Sequence, residues 1–121
     1  MEDSRDTLCR LVIHDDAYIE SVLARGFGDT SASGLDAKTQ ALVRVGALVA
    51  AGASTPEYMS AIEPGLRSGA SVEEIVGVLV AVMPSIGADR VVSAAPKLAL
   101  ALGYDVDEAL ERFNGSKEPR S

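Results

Sequence analysis

Residues 36–103 read DAKTQALVRVGALVAAGASTPEYMSAIEPGLRSGASVEEIVGVLVAVMPSIGADRVVSAAPKLALALG. The stretch is nearly continuous apolar helix, cut by two turns that carry their own caps. Asp36 is a good N-cap for a helix over 37–51, because its carboxylate can take up an orphan amide of the first turn. Apolar residues follow at 41, 42, 45, 48 and 49, and the last two turns are apolar nearly all round, as in a buried helix. Gly52 ends it. Ser54-Thr55-Pro56-Glu57 then has the form of a capping box, with serine at N-cap, proline in the first turn and glutamate at N3. A second helix is therefore predicted over 55–68. Pro64 lies inside it and removes the amide that would bond Ser60, which predicts a kink over 60–64. Ser71-Val72-Glu73-Glu74 is a second capping box, followed directly by an apolar run, and predicts a helix over 72–83. Pro84 and Gly87 make a break, and a further helix runs over 89–102 to a stop at Gly103. No segment alternates with period two, so the fold is all-α. Its core is expected from these four helices, with short loops making sequential helices antiparallel neighbours.

The flanks are weaker. Leu8, Leu11 and Val12 give an amphipathic pattern over 3–13, with Ser4 or Asp3 as its cap. His14-Asp15-Asp16 interrupts it, and Tyr18, Ile19, Val22 and Leu23 suit a helix over 16–24. Gly26, Gly28 and Gly34 with Ser31 and Ser33 mark a loop over 25–34. No strand precedes Gly26-Phe27-Gly28 and no phosphate-binding glycine pattern follows it, which excludes a nucleotide loop. Asp105 caps a last short helix over 106–113, and residues 115–121 are expected to be disordered. The chain thus divides into N-terminal helices and loop (1–34), a helical core (35–114) and a tail (115–121).

Composition narrows the function classes. At 121 residues the chain is one domain, and 47% of it is hydrophobic with three tyrosines, two phenylalanines and no tryptophan. The core must be aliphatic and small. A net charge of −7 leaves no basic stripe for nucleic acid and disfavours anionic membrane. The run from Ile75 to Met83 is too short to span a bilayer, and the acidic start shows no signal peptide. Cys9, the single cysteine, excludes an internal disulfide framework and suits a reducing cytoplasm. It reads as a small packing side chain rather than a nucleophile. His14 reads as a cap or surface residue. One histidine, one cysteine and scattered carboxylates supply no metal-ligand spacing, and no cofactor is implied. So apolar a chain in so few helices is expected to complete its burial in an oligomer.

Three residues are candidates for chemistry. Arg44 sits among Val43, Val45 and Gly46, where it needs a partner. That partner is a structural or intersubunit carboxylate, or else a bound anion. Glu57 is a capping residue or a general acid–base, and Tyr58 either packs or offers its hydroxyl. Glu63 and Arg90 are solvated, salt-bridged, or within reach of the same turn.

Three motifs carry a resemblance: LDAKTQALVRVGALVAAG, GLRSGASVEEIVGVL and MPSIGADRVVSA, in that order and spacing. Residues 35–103, more than half the chain, resemble the carboxymuconolactone decarboxylase family, which includes the AhpD-like alkylhydroperoxidases. The resemblance implies an AhpD-like bundle of about six helices that assembles as a trimer or hexamer. The family's redox members place CxxC at the start of the second helix, a histidine four residues later and a glutamate on the preceding helix. Those positions fall here at Ser54 and Glu57, at Ala61, and at Leu42 or Ala41. Peroxide reduction needs a low-pKa thiolate and a resolving thiol, so peroxidase activity is not expected. Replacement of the histidine by Ala61 also counts against ordinary lactone decarboxylation. Two readings remain. One is a thiol-independent lyase or isomerase acting on a small organic acid or lactone through Glu57, Tyr58 and Arg44, with a pocket at the 51–63 turn and Glu57 partly buried. The other is a non-catalytic, homo-oligomeric ligand-binding or structural relative, with Glu57 exposed as a cap.

Overall fold

A computed structural model describes residues 3–26, 29–104, 107, 111 and 112. Among them are six helices and no strand: α1 (Ser4–Val12), α2 (Asp16–Arg25), α3 (Ala37–Ala51), α4 (Thr55–Arg67), α5 (Val72–Ile86) and α6 (Ala88–Ala101). The expected Asp105 cap, most of the helix over 106–113 and the tail over 115–121 lie outside the described residues. No helix among the described residues is long and apolar enough to cross a membrane.

The helix starts follow side-chain chemistry. Asp3, Asp15 and Asp36 accept amide hydrogens from Arg5, Tyr18 and Thr39 at the heads of α1, α2 and α3. Ser54 and Ser71 open α4 and α5 as reciprocal capping boxes with Glu57 and Glu74. Lys38 reaches Glu74 at 2.6 Å and ties the head of α3 to the head of α5. α3 stops at Gly52, whose left-handed backbone (φ 72°) an L side chain would strain. His14, in the joint between α1 and α2, is the one non-glycine residue with positive φ among the described residues. It is a surface residue beside Asp16, at 3.7 Å.

The core lies within α3–α6: Val45 and Val49, Tyr58 and Ile62, Ile75 and Leu79, Val91, Ala94 and Leu98. The pairing differs from the expected chain of sequential neighbours. α3 packs on α4, α4 on α6, α6 on α5 and α5 on α3, with α3 and α6 also touching. α4 and α5, joined by a short loop, therefore sit across a diagonal. A loop fixes how far apart two helix ends lie, but buried faces decide which helices pack. Gly46 faces α5, and a β-carbon there would meet the Val82 and Val78 methyls in ordinary van der Waals contact, at 3.4 and 3.5 Å.

Pro84, expected to break a helix, and Pro64, expected to kink one, both lie inside helices that run on past them. α5 runs past Pro84 to Ile86 instead of ending at Met83. Pro84 deprives only the Val80 carbonyl of its amide, and Val80 is 67% exposed, so that turn faces water. α4 runs through Pro64. There the deprived carbonyl is that of Ser60, and Arg44 supplies the missing donor (next subsection).

α1 and α2 bury no residue. Leu8, Val12 and Leu23 are 62%, 76% and 75% exposed. Helices of nine and ten residues are marginal without packing. Internal bonds hold the segment together: Arg10 stacks over the Tyr18 ring at 5.5 Å, and Arg25 donates to Ser31 Oγ at 2.9 Å. Gln40 Nε2 on α3 donates to the Asp29 carbonyl at 3.2 Å and links the loop to the core.

Candidate functional site

The three residues singled out at the 44–58 region do not converge. Glu57 is exposed and committed to its cap: its Oε1 accepts from the Ser54 amide at 2.8 Å and from Ser54 Oγ at 3.0 Å. Those bonds hold its carboxyl below the usual glutamate range. A general base at neutral pH needs the opposite shift. The partly buried Glu57 of the lyase reading is thus not found, and Glu57 stands as the other reading has it, exposed as a cap.

Arg44, on α3, reaches across to α4. Nη1 donates to the Ser60 carbonyl at 3.4 Å and Nη2 to Ser60 Oγ at 3.1 Å. The guanidinium thus serves the carbonyl that Pro64 leaves without an amide. We expect Arg44→Ala to lower the unfolding free energy by about 1 kcal/mol, the net value of a hydrogen bond at a partly solvated carbonyl. A urea titration checks it.

Tyr58 is the third residue, and it lies apart from Arg44. Its side chain is 0% exposed, and its hydroxyl has no hydrogen-bond partner among the described residues. Burial first, and the nearby Glu57 charge second, push its pKa above the ordinary 10.0. The group is a neutral O–H donor at any physiological pH.

Tyr58 lines a cavity of about 290 Å³ where α6 crosses the end of α3. Val49, Ala53 and Ala94 form its buried apolar wall, and Arg90, Ser93 and Lys97 of α6 form the polar one. Arg90 Nη1 donates to the Ala50 carbonyl at 2.8 Å, and Lys97 Nζ to the Ala53 carbonyl at 3.4 Å. Arg90 thus serves a carbonyl in the last turn of α3, where the helix dipole is negative, and Lys97 serves one just past the helix end. Asp89 also borders the space.

Larger clefts exist, but their chemistry is weaker. Two of about 600 and 420 Å³ border α1, α2 and the following loop, and no residue lining them is buried. One of about 500 Å³ lies along α3 and α4 and takes in Arg44 and Arg67. There Arg44 is bonded to Ser60 and Arg67 is paired with Glu63. The α3–α4–α6 cavity alone among these is lined by a wholly buried residue, Tyr58, whose polar atom has no hydrogen bond among the described residues.

Sequence reasoning reached Tyr58 and noted Arg90, but it missed Ser93 and Lys97. Positions 90, 93 and 97 share one stripe of a helix, which is a visible signal. That this stripe faces the end of α3 follows only from packing. No protein-family model, no curated protein and no solved structure matches the chain.

Proposed function

We propose that the chain is a non-catalytic, homo-oligomeric relative of the carboxymuconolactone decarboxylases that binds a small organic acid or lactone in the α3–α4–α6 cavity. The observation that carries this reading is the Tyr58 hydroxyl. A buried O–H without a partner costs free energy that a hydrophobic side chain of the same shape would not incur. Tyr58 lines a space with two cations and an apolar wall, and a ligand settling there that reaches the closed-off hydroxyl would supply its acceptor.

The lyase reading is less well supported, because proton transfer at a carbon needs a base of suitable pKa and Glu57 is held in the opposite direction. The assembly reading draws on the apolar side chains left in water on α1, α2 and α5. Light scattering at micromolar concentration is expected to show more than one chain per particle.

The test of the ligand reading is thermal unfolding of the full chain against a panel of small carboxylic acids and lactones. A ligand at 100 times its Kd stabilises by about 2.7 kcal/mol, which moves Tm by several degrees in a domain of this size. We expect at least one compound to do so, and Tyr58→Phe to remove the shift. A panel without any shift would count against a binding function.

A further inference from the structure

We propose that the α3–α4–α6 cavity selects a small monocarboxylate, its charged head at Arg90 and Lys97 and its apolar body against Val49, Ala53 and the Tyr58 ring. This rests on the ligand-binding reading above and goes further by choosing the acid over the lactone and by fixing the ligand's charge.

Charge complementarity argues for an anion. The chain carries a net −7. The cavity wall has two cations and one carboxylate, Arg90, Lys97 and Asp89, and so a local balance of +1. Arg90 and Lys97 are seven residues apart on α6, about 10 Å along its axis, with Ser93 between them on the same stripe. Each cation spends one N–H on a backbone carbonyl, Ala50 within α3 and Ala53 just past its end. A guanidinium has five N–H groups and an ammonium three, so both retain donors for a ligand.

The same groups limit the ligand's charge. Asp89 and the Ala50 and Ala53 carbonyls are negative or partly negative neighbours, and the cations must serve these as well. A local balance of +1 neutralises one carboxylate. A dicarboxylate or phosphate would leave charge uncompensated against an apolar wall, which is costly. A lactone has only neutral acceptors and leaves the local positive charge uncompensated, whereas a carboxylate adds ion-pair attraction to its hydrogen bonds with the two cations. Volume bounds the rest: about 290 Å³ lies just below the range that holds drug-sized ligands. A benzoate-sized molecule fits that limit.

The experiment is isothermal titration of the full chain at fixed ionic strength with sodium benzoate, benzamide, γ-butyrolactone and disodium phthalate. Benzoate is expected to bind saturably, and the other three at least about tenfold more weakly. Arg90→Ala and Lys97→Ala are each expected to weaken benzoate by about tenfold or more. Arg90 is exposed, so its variant should fold normally, and circular dichroism confirms that. If benzamide or the lactone binds as tightly as benzoate, with Tyr58→Phe abolishing both, the carboxylate inference fails while the ligand-binding reading stands. If phthalate binds as tightly as benzoate, the limit to one charge fails. Benzoate binding unchanged in both cation variants removes the site from this cavity. No saturable binding of any probe to about 10 mM overturns the inference and the ligand-binding reading together.

Discussion

Ile75→Ala is expected to lower the unfolding free energy by about 3–4 kcal/mol, the upper middle of the range for large-to-small changes at buried sites. Ile75 is 1% exposed and sits in the first turn of α5, directly after the Ser71–Glu74 capping box. It belongs to the one cluster that joins α3, α4, α5 and α6. The core is built largely of alanine and valine, so few large side chains carry it. Tyr58, Ile75, Leu98, Val45 and Val49 are the largest that are fully enclosed. Deleting three carbons from one of them removes contacts that small neighbours cannot replace by shifting. Since domains of this kind are stable by about 5–15 kcal/mol, the loss is a large share of the total. Urea unfolding at constant slope measures it. Val76, the next residue, is 39% exposed, and its alanine variant should cost well under half as much in an isolated chain. A Val76 cost approaching that of Ile75 at micromolar protein would mark the outer face of α5 as covered by a second copy.

The local grammar of the chain was legible, and its reason is physical. Asp36, Ser54 and Ser71 each answer the unsatisfied amides of one helix turn, a problem solved within four residues. The sequence therefore shows these starts directly. Gly52 likewise needs only its own backbone to end α3. What depended on packing was less visible. Pro84 and Gly87 read as a break in the sequence, which predicts that α5 ends at Met83. Nothing local reveals that the carbonyl Pro84 deprives is at the exposed Val80 turn, where water can bond it. The expectation that α4 and α5 are neighbours failed because their short loop sets only where the two ends lie.

The site was half legible for the same reason. Arg44 and Tyr58 were noticed as polar groups in apolar surroundings, which is a sequence-level signal. Their separation was not. Arg44 turns to Ser60 because Pro64 creates a need there, and Tyr58 packs in the core cluster while lining the α3–α4–α6 cavity. Glu57 was correctly seen to have a capping explanation, and its two bonds to Ser54 hold its carboxyl low. Ser54–Glu57, Asp36–Thr39 and the Lys38–Glu74–Ser71 set all depress carboxylate pKa values. Their contribution to stability is present above the ordinary carboxylate range and is lost as pH falls through the depressed values. The helix heads therefore shape the lower edge of the stability profile, together with Asp29, whose carboxyl is held low by its bonds from Ser31.

Tyr58 contributes at the upper edge, and there the most discriminating substitution reverses the usual sign. Most replacements of a buried residue destabilise. Tyr58→Phe is expected to raise the unfolding free energy by about 1–2 kcal/mol, because it removes a buried hydroxyl without a partner and keeps the ring that packs the core. The same change should abolish ligand binding, so stability and binding move in opposite directions at one atom. A pH series sharpens the test. Burial raises the Tyr58 pKa above 10.0, so folding favours the neutral phenol. The parent chain keeps this contribution below the unfolded tyrosine pKa and loses it as pH rises through the folded value. The phenylalanine variant cannot lose what it lacks, so the gap between variant and parent should widen above pH 10. A Tyr58→Phe chain less stable than the parent at neutral pH would show that the hydroxyl is bonded in solution, and the cavity would then have no donor waiting for a ligand. A more stable chain that still binds the same compounds would leave the hydroxyl a packing defect and place recognition on Arg90 and Lys97 alone.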